Sequence, residues 1–140
     1  MRLIATEEAW SIPEVAAELK KVARGPSQSL DKPLVRGVYD VEPGQPGYDS
    51  YPFLEGLLDA EDTRLGQMDR FGVDMHLLAL TAPGVQMFDA DTAHELAMLA
   101  NDRLAALCRK YPKRFAGLAS FAPHSPKRAA KEMERAINQL

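Results

Sequence analysis

Two adjacent glutamates, Glu7 and Glu8, close the first apolar stretch of the chain, Leu3-Ile4-Ala5-Thr6. Period-two alternation puts Leu3, Ala5, Glu7 and Ala9 on one face, and Ile4, Thr6, Glu8 and Trp10 on the other. The first of these faces would point inward if the strand belonged to a barrel. A carboxylate held there loses hydration at a cost that demands a charged partner, a proton or a metal ion. Glu7 is therefore the candidate metal ligand. If the strand stops at Thr6, both glutamates are merely solvated, and that reading stays open.

Other reactive groups are few. His76 opens a second apolar run and is expected to be structural. His94 falls in the first turn of a helical pattern and is expected at the surface. His124 follows a third apolar run, where it could reach a site, but no partner lies near it in sequence. The single cysteine, Cys108, excludes an internal disulfide and a cysteine zinc cluster. Lying near Leu104 and Leu107 on a helical pattern, it reads as core. The chain holds no His-x-His, Cys-x-x-Cys, Walker, Gly-x-Gly-x-x-Gly or Gly-x-Ser-x-Gly motif.

The elements that must position these residues follow from periodicity. Leu3 to Trp10 reads as a strand and Pro13 to Val22 as a helix. Residues 24–51 are rich in Gly, Pro, Ser and Asp and read as a long loop-rich insertion, including Gly44-Gln45-Pro46-Gly47. Leu54, Leu57, Leu58, Leu65 and Met68 share one helical stripe, with Gly72 at the C-cap position. Val73 to Leu80 is a near-continuous apolar run of the kind buried on both faces of a parallel sheet. After the turn-forming Ala82-Pro83-Gly84, Asp91 is the expected N-cap of a helix that ends near Tyr111, because Pro112 disfavours helical geometry before it. Phe115 to Ala122 is the third strand. Ser125 and Pro126 then open a helix whose apolar stripe is Ala129, Met133, Ala136, Ile137 and Leu140.

The order β, insertion, α, β, α, β, α predicts an α/β fold with a parallel sheet. Function then belongs at the carboxyl ends of the strands: Glu7 to Trp10, Thr81 to Gln86, and Ala122 to His124. Three strands do not close a barrel. A small three-stranded layer and a piece of something larger both remain open from pattern alone.

Composition narrows the classes of partner. Of 140 residues, 46% are hydrophobic and 26% charged, which fits one soluble globular domain. A net charge of −3 argues against nucleic acid. The one basic cluster, Arg109 to Arg114, reads as a helix C-terminus. No apolar run approaches the roughly 18 residues needed to span a bilayer, and the first residues lack the pattern of a signal peptide. A soluble, cytoplasmic protein is expected.

Several segments carry a family resemblance. Ile4-Ala5-Thr6-Glu7-Glu8-Ala9-Trp10 resembles the first strand of the amidohydrolase-related decarboxylases, the family of aminocarboxymuconate semialdehyde, γ-resorcylate and 5-carboxyvanillate decarboxylases. Leu80 to Gln86, Ala100-Asn101-Asp102-Arg103-Leu104-Ala105 and Lys110 to Gly117 are similar to the same family in the same order, and Phe71-Gly72-Val73-Asp74 also fits. The resemblance covers nearly the whole chain apart from residues 24–51.

The resemblance implies the N-terminal three βα units of a metal-dependent (β/α)₈ barrel occupying residues 1–140. In the family the first strand supplies metal ligands as His-x-His, Glu-x-His or Glu-x-Ala. Here the first position is Glu7 and the second is Ala9, most similar to the carboxyvanillate decarboxylase type. The implied cofactor is a divalent ion, Mn²⁺ or Zn²⁺, with a hard oxygen donor favouring Mn²⁺. The implied reaction is non-oxidative decarboxylation of a phenolic carboxylic acid by a homo-oligomer, a dimer or tetramer. Trp10, Ala82 and Pro83, at the mouths of the first two strands, would wall the substrate pocket. The family's general acid, an aspartate of the last barrel strand, and its further histidines have no counterpart here. No catalytic residue is therefore expected within these residues, and the 140-residue chain alone is expected to be inactive. Two alternatives stand beside this reading. Related barrels hydrolyse lactones or hydrate dicarboxylic acids, and a truncated α/β module could bind a partner through its open sheet edge.

Overall fold

Three short apolar segments pair side by side in parallel: β1 (Ile4–Trp10), β2 (Met75–Leu80) and β3 (Phe115–Leu118), in the order β1-β2-β3. The computed structural model describes residues 1–41, 44 and 53–140. Its helices are α1 (Pro13–Arg24), α2 (Lys32–Tyr39), α3 (Phe53–Leu58), α4 (Asp62–Phe71), α5 (Ala90–Lys110) and α6 (Pro126–Gln139). The strand–helix alternation and parallel pairing are those expected from the sequence. The strands are shorter than their apolar runs, beginning at Ile4 and Met75 and ending at Leu118.

The two faces of the sheet differ sharply. Leu78 is fully buried and pairs with Gly117, whereas Ile4 and Leu118 are 44% and 50% exposed. The helices thus cover the face of His76, Leu78, Phe115 and Gly117. Ile4, Leu77, Ala79, Ala116 and Leu118 line an open apolar face. On the covered side Leu78, Phe115, Leu96, Leu104 and Leu107 form one core with Val15 and Leu19 of α1. Each such side chain contributes about 1.5–3 kcal/mol by leaving water.

Gly117 shows how closely α5 lies on the sheet. A Cβ there would sit 2.6 Å from both Cγ and Cδ2 of Leu104, itself buried. Gly117→Ala is expected to cost about 1–3 kcal/mol through overpacking, read as a lowered urea midpoint.

Several local expectations change. The segment expected as a loop contains α2, whose Val35 and Tyr39 are buried in the core. Composition hid this helix because it is only two turns long. Of the Gly44-Gln45-Pro46-Gly47 turn only Gly44 is described, with φ of 82°; the rest lies outside the described residues. The stripe from Leu54 to Met68 is two helices, broken where Asp59 accepts from the amides of Glu61, Asp62 and Thr63. Burial raises the Asp59 pKa, but Thr63 and the three amides outweigh it and hold the carboxyl below its ordinary value.

Gly72 ends α4 in the left-handed region, φ 68°, as a C-cap glycine should. α5 begins two residues earlier than expected. Asp89, not Asp91, is the N-cap, accepting from the amides of Asp91 and Thr92 at 3.0 Å each. Ser125 is the N-cap of α6 with Pro126 behind it, but its hydroxyl accepts from Arg128 rather than a helix amide.

The stripe of α6 is divided. Ala129 is buried, whereas Met133 and Ile137 are exposed and the residue buried beside Ala129 is Glu132. The basic cluster at the end of α5 is anchored to α4: Lys110 and the Tyr111 hydroxyl both donate to Glu61, and Arg114 pairs with Asp69.

Candidate metal and substrate site at the carboxyl ends of the strands

The ladder between β1 and β2 is irregular where the two glutamates lie. Ala5 pairs with His76 and Glu8 with Leu78, so three steps on β1 answer two on β2. The extra residue reverses the alternation along β1. Ala5 and Glu8 share the helix-covered face, although they are an odd number of residues apart. Beyond the irregularity Ala9 pairs with Ala79 on the open face, and Glu7, two residues earlier, goes with it. The expected pairing of Glu7 with Ala9 therefore stands, but Leu3 and Ala5 do not belong to their face. Such bulges commonly re-aim side chains beside functional sites.

The two carboxylates then fare differently. Glu7 is exposed and makes no hydrogen bond or ion pair with any described residue. Glu8 is half-buried, with Arg64 at 3.4 Å and His76 Nδ1 at 3.3 Å. Both line a cleft of about 470 Å³ between β1, α3 and α4, along with Asp59, Thr63 and Arg64. Burial lowers the His76 pKa, Arg64 and Arg114 push the same way, and Glu8 opposes them. The balance favours the neutral imidazole of His76, and its expected structural role fits its burial.

As a metal site the chain is partial. No three His, Cys, Asp or Glu side chains among the described residues converge on one point. What the strand offers is a single free carboxylate, a hard oxygen donor suited to a divalent cation such as Mn²⁺.

After β2, Ala82 and Pro83 border an open groove of about 320 Å³, shared with Leu80, Val85, Gln86 and Phe121. Ala82 is exposed and Pro83 buried. Trp10 is elsewhere: it pairs with Leu80 on the covered face and is 4% exposed within the core. Its indole Nε1 has no partner among the described residues. The structure does not bring it to the groove.

His124 is exposed, and His94 is half-buried rather than at the surface, with Nδ1 shielded and unpartnered among the described residues. Cys108 is half-buried, and burial raises its pKa.

Sequence reasoning missed a polar network beneath the third strand. Asn101 of α5 accepts from the Ser120 amide at 2.7 Å and donates to the Ser120 carbonyl at 2.8 Å and to Glu132 Oε1 at 2.7 Å. Arg135 holds Glu132 through two bonds of 2.8 Å and reaches Asp102 at 2.7 Å. The signal was present: Asn101-Asp102 interrupts a helix of good helix formers at a position on its apolar side.

A family model described as amidohydrolase matches residues 53–140. The chain belongs to the amidohydrolase family. Over 85 residues it is 42% identical to a γ-resorcylate decarboxylase from Polaromonas sp. and 44% identical to one from Rhizobium sp.. That span is 60% of this chain and 26% of each relative. Among solved structures, 5-carboxyvanillate decarboxylase from Sphingomonas paucimobilis superposes with a TM-score of 0.90 at 50% identity. The match covers 99% of this chain and 40% of that one. The Novosphingobium aromaticivorans 5-carboxyvanillate decarboxylase, complexed with manganese and 4-hydroxy-3-methoxy-5-nitrobenzoic acid, gives 0.88 at 37% identity over 99% and 39%.

The chain thus spans about a quarter to two-fifths of the length of these relatives. Its three parallel βα units follow the fold of the decarboxylases that it resembles, as the sequence implied. No described helix is long and apolar enough to cross a membrane.

Proposed function

We propose that the whole protein, of which residues 1–140 form the first three βα units of one barrel, removes CO₂ non-oxidatively from a phenolic carboxylic acid. One observation carries this reading: the strand irregularity that leaves Glu7 free on the open face at the carboxyl end of β1. The named activities of its relatives, 5-carboxyvanillate and γ-resorcylate decarboxylases, support this substrate class.

Glu7 would hold a divalent ion, Mn²⁺ on the chemistry of the donor. Bound there, such an ion would neutralise charge on an anionic substrate and help to orient it. Ala82 and Pro83 would wall the ring and exclude water, with Trp10 packed behind the strand ends instead of against the substrate. The proton delivered to the ring carbon would come from a side chain other than the described neighbours of Glu7 on the open face.

The test is CO₂ release by the whole protein with added Mn²⁺, offered 5-carboxyvanillate and 2,6-dihydroxybenzoate. Turnover of one or both, abolished by a chelator and restored by Mn²⁺, is the expected result. Hydrolysis of a lactone with neither acid turned over would overturn it.

A further inference from the structure

Arg64 is a buried guanidinium that donates to three main-chain carbonyls. Its side chain is 10% exposed. Nη2 donates to the Ala9 carbonyl at 2.8 Å and to the Gly56 carbonyl at 3.1 Å, and Nε to the Asp59 carbonyl at 3.3 Å. Nη1 lies 3.4 Å from Glu8. Burying a guanidinium is costly, and an apolar side chain would cover this position more cheaply if covering it were the whole purpose.

The Ala9 carbonyl explains what is gained. The Trp10 carbonyl accepts from Thr81 and so faces β2. Carbonyls alternate along a strand, so that of Ala9 faces away from β2 and toward Arg64. Arg64 Nη2 donates to it there. It does so immediately past the irregularity at residues 5–8, where the pairing with β2 holds the chain least.

We propose that Arg64 is a positioning residue for the metal: by fixing the Ala9 carbonyl it sets the direction in which Glu7 presents its carboxylate. This rests on the reading of Glu7 as a ligand. Arg64 would act through the strand, by way of the Ala9 carbonyl.

The experiment titrates the metal-free whole protein with Mn²⁺, following free Mn²⁺ by electron paramagnetic resonance, and records the melting temperature of each metal-free variant. Arg64→Lys keeps the charge but loses the forked donors, and should weaken Mn²⁺ binding about 10- to 100-fold, as loss of outer ligand support does. Its metal-free melting temperature should stay within about 5 °C of the parent. Glu8→Gln removes the charge partner while leaving the carbonyl bonds, and should stay within about threefold.

Parent-like Mn²⁺ affinity in Arg64→Lys, alongside a loss in Glu7→Gln, would overturn the proposal and leave the ligand reading intact. Failure of Arg64→Lys to fold would also overturn it, by showing that Arg64 holds the fold instead of the site. An equal loss in Glu8→Gln would assign the effect to charge. Unchanged affinity in Glu7→Gln would end both readings.

Discussion

Glu7→Gln in the whole protein should weaken Mn²⁺ binding by more than about 100-fold, a loss greater than outer-shell changes produce. Gln matches Glu in shape and keeps an oxygen, but it removes the negative charge that a hard divalent cation prefers. The strand should be undisturbed, because Glu7 is exposed and bonds to no described residue. Stability should therefore stay within about 0.5 kcal/mol of the parent, as for surface substitutions. Decarboxylation should fall at least as far as metal occupancy does, and excess Mn²⁺ should restore only part of it. If Glu7 is merely a solvated strand-end carboxylate, metal titration and CO₂ release will both match the parent. Comparison with Glu8→Gln sharpens the result, since Glu8 lies one residue away and is already engaged by Arg64 and His76.

The fold was legible because long amphipathic patterns survive local irregularity. The apolar run at Met75–Leu80 and the stripe through Leu96, Ala100, Leu104 and Leu107 each respond to a single partner surface, and periodicity reports such surfaces well. The misreadings occur where one residue decides the outcome. Asp59 splits a continuous stripe by capping the second helix, and Asp89 takes the cap from Asp91 because its extended backbone aims the carboxylate at the next amides. The face of Glu7 was identified by counting from Leu3, yet the ladder gains a residue in between. Period two cannot show an irregularity, because only the partner strand defines register. Trp10 was placed at a mouth for the same reason: a strand end reads alike whether its last side chain turns toward the groove or into the core.

The Asn101 network gives the largest expected effect on stability. Asn101 and Glu132 are 4% and 3% exposed, and together they tie α5, α6 and the segment after β3 at Ser120. Asn101→Asp is close to isosteric but replaces the amide nitrogen, 2.7 Å from Glu132 Oε1, with a second carboxylate oxygen. At pH 7 this should cost about 3–5 kcal/mol, the range for a buried charge left facing the wrong partner. Asn101→Ala, which only leaves Ser120 and part of Glu132 unsatisfied, should cost about 1–3 kcal/mol. The ordering distinguishes electrostatics from loss of packing, because Asp fills the space that Ala vacates.

The pH dependence separates them further. In the parent, burial raises the Glu132 pKa, but Arg135 and Asn101 outweigh it and hold the carboxyl below its ordinary value. A depressed folded-state pKa contributes stability above the unfolded value and loses it as pH falls through the folded one. The parent should therefore weaken in acid, below the usual glutamate range. In Asn101→Asp two adjoining carboxylates cannot both ionise cheaply, so the pair takes up a proton at a raised pKa. Its deficit relative to the parent should narrow as pH falls through that raised value. Urea unfolding of the parent and both variants across pH 7 to 4 reads this directly. A deficit for Asn101→Asp no larger than that for Asn101→Ala, and unchanged over that range, would mean Glu132 is neutralised by Arg135 so completely that Asn101 serves only as a hydrogen-bonding spacer.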